Sequence, residues 1–257
     1  MSFQPVIGGG GYAGWRLLSR TLDTQKAMVA RDPAIARDHS HIREKIAKIA
    51  TSDDLTADYR LLKTALSAFG LEADLDKKAF IRKVLDSDPK DPKSLANRLS
   101  DKRYRAMAEA FGFAAGKTRP AALGEDIVQR HVSAELERRI GTVDGNLRLA
   151  LNASRELATL GRSASSDNAR WYTILGSLPL RKVFEGALGL GGAFGKLPID
   201  RQLDELRDRT EKLTGSSSPS AFAEPAMVEK IVQRFLLRAD AATRAQSSYG
   251  AALVLLS

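Results

Sequence analysis

An all-α fold is predicted by three observations. Alanine, leucine, arginine, lysine and glutamate dominate the composition, and these are good helix formers. Apolar residues recur at spacings of three and four rather than in alternation. Helix-starting Asp-Pro and Ser-x-Pro pairs and helix-ending glycines punctuate those runs. The 43% hydrophobic fraction over 257 residues is enough for a large core.

The chain opens on Phe3-Gln-Pro-Val-Ile7, then four glycines, then Tyr12, Trp15, Leu17, Leu18 and Leu22. Residues 1–26 are expected to form an apolar, glycine-rich segment whose first part is mobile, since glycine carries a large entropic cost of ordering. Gly9, Gly11 and Gly14 spell GxGxxG. A dinucleotide site needs a buried strand before that pattern and a second strand after it. Pro5 suits only an edge strand, and the residues after Gly14 read as helix, so the site is rejected.

Asp32-Pro33 starts a helix whose Ile35, His39, Ile42, Ile46 and Ile49 form a packing seam. His39 lies on the seam and His41 off it. Residues two apart on a helix point about 200° around the axis from each other, so these histidines form no metal pair. His39 reads as a core-edge residue.

From Asp58 to Phe113 the pattern is clearest. Leu61, Leu62, Ala65, Leu66 and Phe69 form one stripe, closed by Gly70. Leu75, Ala79, Phe80, Val84 and Leu85 form the next, stopped by Asp88-Pro89-Lys90-Asp91-Pro92. Asp91 is expected to cap a short helix carrying Leu95 and Leu99. Ser100 or Asp101 caps the last, with Tyr104, Met107, Ala108 and Phe111 closed by Gly112. The polar side is basic, with Arg82, Lys83, Arg98, Lys102, Arg103 and Arg105 as a candidate face for an anionic partner. Interleaved aspartates argue for a solvated face with local ion pairs. Asp86, Asp88 and Lys90 begin like a calcium loop, which Pro89, Pro92 and the missing glutamate reject.

The text DYRLLKTALSAFGLE, FIRKVLDSDPKDPKSLANRLSDKRY and AFGF resembles a bacterial family of unknown function, the domain-of-unknown-function family numbered twelve-seventeen. The likeness extends from about Ala27 through NLRLAL and LRKVFEGALGL. Gly189, Gly191, Gly192 and Gly195 depart from it. The resemblance implies a flagellar context, because members are often encoded near flagellar genes. It implies no catalytic residue.

Beyond Phe113, Gly116-Lys117-Thr118 imitates the end of a phosphate loop, but Phe111 stands where its first glycine belongs. Val128, Val132, Leu136 and Ile140 stripe a helix that also carries His131. A helix from Asn146 is expected to end at Gly161, before a polar loop. Trp171, Ile174 and Leu175 mark the next. Ser177 and Pro179 restart it, and Gly191-Gly192 stops it. Pro198 begins a charged helix with Arg201–Glu205, Glu205–Arg209 and Asp208–Lys212 four apart. Thr214–Ser220 reads as a flexible connection. Pro225 begins the last helix, on Met227, Val228, Ile231, Val232, Phe235 and Leu236.

Two internal likenesses predict diverged pseudo-repeats over about 27–123 and 124–238. Leu61–Ser67 resembles Val183–Gly189, and Arg43–Asp54 resembles Arg155–Asp167. A single helical domain over 27–238 is expected, followed by an alanine-rich tail over 239–257.

The chain has no cysteine, which excludes disulfides, thiolate metal sites and thiol chemistry. Its formal charge is +9. No apolar run reaches the ~20 residues that span a bilayer, and the start lacks the features of a secretory signal. Cytoplasmic residence is expected, or export without a cleavable signal. The only histidines are His39, His41 and His131, with no ligand spacing among them. No cofactor or metal is expected, and the chain reads as a non-enzymatic structural or interaction protein. Phe3, Tyr12, Trp15, Leu17, Leu18, Leu253, Val254 and Leu255 are candidate docking residues for a protein partner, a flagellar component under the resemblance. The alternative is nucleic-acid binding or regulation through the basic face.

Overall fold

The computed structural model describes residues 2–116 and 122–255, with side chains for all of these except Ala115 and residues 245–255. Among the described residues there are thirteen α-helices, joined by loops and 3-10 turns, and no strand. They are α1 Gly11–Ala30, α2 Pro33–Lys45, α3 Ser52–Ala57, α4 Tyr59–Ala68, α5 Lys78–Leu85, α6 Leu95–Arg98 and α7 Lys102–Phe111. Next come α8 Leu123–Gly141, α9 Gly145–Arg162, α10 Asp167–Gly176, α11 Leu178–Leu188, α12 Ile199–Thr214 and α13 Pro225–Leu255. The helical fold class is as the composition and spacing predict.

The domain division differs from the expected single body. The chain forms two compact units, one of residues 1–6 and 21–139, the other of residues 7–20 and 140–257. The opening segment is thus shared between them, and the boundary lies sixteen residues beyond the expected repeat junction at 123. The tail over 239–257 is no separate element, because α13 continues to Leu255.

In the first unit four helices are started by side chains, and two are followed by a glycine that closes them. Asp32 caps α2 through the Ala34 amide, and Thr51 and Asp54 cap α3 reciprocally. Asp58 caps α4 through Leu61, and Asp101 caps α7 through Arg103. Gly70 and Gly112 adopt positive φ after α4 and α7. Asp91 does not cap α6: its carboxylate accepts from Lys93 N–H in a turn, and α6 starts further on, at Leu95. The core gathers Ile42, Ile46, Leu61, Leu62, Leu66, Ile81, Leu85, Met107, Phe111, Ile127 and Val128.

In the second unit α9 and α11 pack on α13, and a 3-10 turn at Pro219–Ala223 covers α9. Phe184 stacks edge-on with both Trp171 and Phe222, at 5.9 and 5.8 Å between ring centres. Three expectations are corrected here. Thr214–Ser220 is no loose connection, since Trp171 Nε1 donates to Ser217 O at 3.1 Å and Phe222 behind it is buried. Gly161 does not end its helix: α9 runs through it to Arg162. Likewise Gly189, in positive φ, stops α11 before Gly191 is reached.

Candidate functional site

Along α8, His131, Glu135 and Arg139 recur every fourth residue on one side, and all three are buried. Opposite them lies α2 with its cap. Asp32 pairs with Arg139 at 2.9 Å, His39 with His131 at 3.1 Å, and Arg43 with Glu125 at 3.0 Å. As residue number climbs along α2 it falls along α8, so the two helices run antiparallel with polar rungs. Arg139 also donates to Glu135 at 2.7 Å, which supports the guanidinium from its own helix.

Burial opposes charge at the two buried rungs; pairing overcomes it for the carboxylates, and burial prevails for the histidines. Burial raises the pKa of Asp32. Hydrogen bonds from Arg139, the Ala34 amide, Ser2 and the Phe3 amide outweigh it, and the net value falls below the ordinary 3.8. Glu135 is likewise raised by burial and brought lower overall by Arg138 and Arg139. His39 is pushed down from 6.5 to about 4, first by burial, then by the facing His131 and Arg43. Burial also lowers His131. Both rings are therefore neutral at pH 7, and one donates to the other.

The end of this ladder holds the segment Ser2–Val6. Asp32 accepts from Ser2 Oγ at 3.0 Å and from Phe3 N–H at 3.3 Å. Arg139 donates to Phe3 O at 2.7 Å. Gln25 accepts from Val6 N–H at 3.0 Å and donates to Val6 O at 2.8 Å. Four of these five bonds read main-chain groups.

The proposed docking residues are placed differently from one another. Phe3 is half-buried under this clamp. Tyr12, Trp15, Leu17 and Leu18 lie on α1. Trp15 is 5% exposed and Leu18 0%, which removes both from any docking set. A buried indole N–H needs an acceptor. Glu229 supplies it, accepting from Trp15 Nε1 at 2.9 Å and from Tyr12 Oη at 3.1 Å. Leu17 is half-buried and closes over Gly8. Leu253, Val254 and Leu255 lie on α13, but their side chains are outside the described residues, as are Lys117 and Thr118 of the phosphate-loop imitation. The start of α1, where the GxGxxG run falls, is filled by Asp240, which accepts from Tyr12 N–H at 3.4 Å.

On the basic face, Arg82 pairs with Asp53, Arg103 pairs with Asp101, and Lys102 Nζ caps the Asn97 and Leu99 carbonyls at 2.9 Å. Lys83, Arg98 and Arg105 are exposed. The structure brings His39 and His131 together, which spacing along the chain had not. His41 pairs with Asp58 at 2.6 Å and so steadies the α4 cap. Among the described residues no group of three or more His, Asp or Glu side chains could hold a metal ion. An open groove of about 400 Å³ in the second unit runs along Gly186, Gly189, Phe235 and Arg238.

Fold and site together define an all-α protein whose most elaborate polar site grips a stretch of backbone. Residues 68–228 match the family described as "Protein of unknown function (DUF1217)", and the chain belongs to that family. A similar solved structure is the X-ray crystal structure of protein AGR_C_984 from Agrobacterium tumefaciens. It has 28% sequence identity and a TM-score of 0.73, covering 92% of this chain and 96% of that one. No curated protein matches the chain. The family match includes His131, Glu135 and Arg139, while Gln25, Asp32 and His39 precede it.

Proposed function

We propose that this chain is a non-enzymatic interaction protein working in flagellar assembly or export. It acts either in the cytoplasm or after export without a cleavable signal. The observation that carries the interaction role is the clamp of Gln25, Asp32 and Arg139 on Ser2–Val6. Polar side chains directed at an extended segment's N–H and C=O groups recognise its backbone. All three histidines are used in structural pairs, which favours binding over catalysis. No helix among the described residues is long and apolar enough to cross a membrane. The flagellar part rests on the family resemblance.

Two measurements in a flagellated host test the proposal. One disrupts the gene and scores filaments and swimming. The other compares culture medium from cells with intact and disabled flagellar export. Export-dependent appearance outside supports an assembly component. Retention inside with lost filaments supports a cytoplasmic adaptor. Normal filaments and swimming without export would overturn the flagellar reading.

A further inference from the structure

Gln25, Asp32 and Arg139 are 4%, 7% and 7% exposed, so the seat of Ser2–Val6 is built from buried polar groups. Exposure alternates along the segment: Phe3 and Pro5 are half-buried, while Ser2, Gln4 and Val6 face out. That is the pattern of an extended strand. Pro5 has no N–H, and it falls between the two positions whose backbone groups are read. The seat therefore suits this particular segment.

Behind the segment comes a joint of four glycines. Gly8 and Gly9 adopt φ of 59° and 133°, conformations that other residues rarely reach. If the segment left for water, Asp32, Arg139 and Gln25 would lose the five hydrogen bonds that it makes with them. Replacement by an identical segment remakes every bond. We infer that this seat also accepts Ser2–Val6 from a second copy of the chain, so that two copies exchange arms into a symmetric dimer. A short tether holds its own segment at an effective concentration of about millimolar, so each chain fills its own seat when dilute. Shortening the joint removes that advantage. The inference rests on the interaction role proposed above. Its test reads chain mass rather than motility, so the two fail separately.

The test deletes Gly8, Gly9 and Gly10 from the full chain, shortening the tether's reach by about 10 Å. Light scattering is expected to give twice the monomer mass. A second variant also lacks residues 2–6 and is expected to be monomeric. A monomeric shortened chain, or a dimer that survives loss of the segment, overturns the inference. A second measurement keeps the natural joint and uses the absence of cysteine. A tagged Val6→Cys copy is mixed with a Thr21→Cys copy, whose position lies beside the Gln25 amide that holds Val6, and oxidised, with exposed Tyr59→Cys in place of Thr21→Cys as control. A mixed disulfide dimer well above the control is expected, and a yield equal to the control overturns the exchange.

Discussion

Arg139 shows what one residue holds together. Its guanidinium meets Asp32, Glu135 and the Phe3 carbonyl in a buried place. Arg139→Ala leaves the Asp32 carboxylate without its cationic partner, while Glu135 keeps Arg138, and breaking a buried pair costs about 3–5 kcal/mol. Urea unfolding measures it, and a loss under about 1 kcal/mol would show that the ladder is solvated. His39 sets a pH dependence. Its folded pKa of about 4 lies below the ordinary 6.5, so the unfolded chain binds the proton more readily. Stability is full above 6.5 and falls as pH drops towards 4, by about 3 kcal/mol for this ring. His131, lowered in the same direction, adds to the fall. Asp32 and Glu135, held below 3.8 and 4.5, contribute their losses only as pH falls beneath those values. Melting temperatures across pH 7 to 4.5 read the histidine part, and His39→Phe should flatten the curve. The pair joins residues 92 apart, so reading His39 against His41 on one helix could not find it. A usable signal was present on α8, where His131, Glu135 and Arg139 sit beside the apolar stripe of Val128, Val132 and Leu136.

Apart from Asp91 before α6, capping residues mark where helices start. Asp32, Thr51, Asp58 and Asp101 are local signals, each acting on an amide two or three residues away. Element ends were misread where glycine served packing instead. A Cβ on Gly161 would lie 2.2 Å from the backbone nitrogen of Ala223, closer than real contacts allow. Alanine normally improves a helix interior by about 1 kcal/mol over glycine. At Gly161 the clash is with backbone that cannot turn aside, so Gly161→Ala should destabilise by about 1–3 kcal/mol. A thermal melt at or above the parent value would mean that the Pro219–Ala223 turn yields easily. The same turn explains why Thr214–Ser220 looked flexible in sequence: its order comes from Trp171 and Phe222.

At the scale of the whole molecule, residues 7–20 belong with 140–257. A fragment of residues 140–257 lacks the Tyr12 and Trp15 groups that meet Glu229. It should melt lower alone than with a peptide of residues 7–20 added, as followed by circular dichroism. An unchanged melt would mean that the peptide's packing adds nothing. The basic face is half spent on ion pairs and caps, so mobility shifts with nucleic acid should vanish by about 150 mM salt, where screening acts beyond about 8 Å. Retained binding there would revive the nucleic-acid alternative. A two-copy origin stays our proposal. Leu61–Ser67 falls on α4 and Val183–Gly189 on α11, and the paired upstream likeness leads in each case from a long helix into a shorter one. A superposition of α2–α4 on α9–α11 with different crossing angles would remove it.

By itself the sequence determined the all-α class, most helix starts and the family, because propensity, capping and apolar spacing act within a few residues. Only the tertiary structure decided that Asp32 meets Arg139, that His39 meets His131, and that Trp15 and Leu18 are buried. Those contacts depend on how distant helices are brought side by side, and no spacing along the chain encodes that.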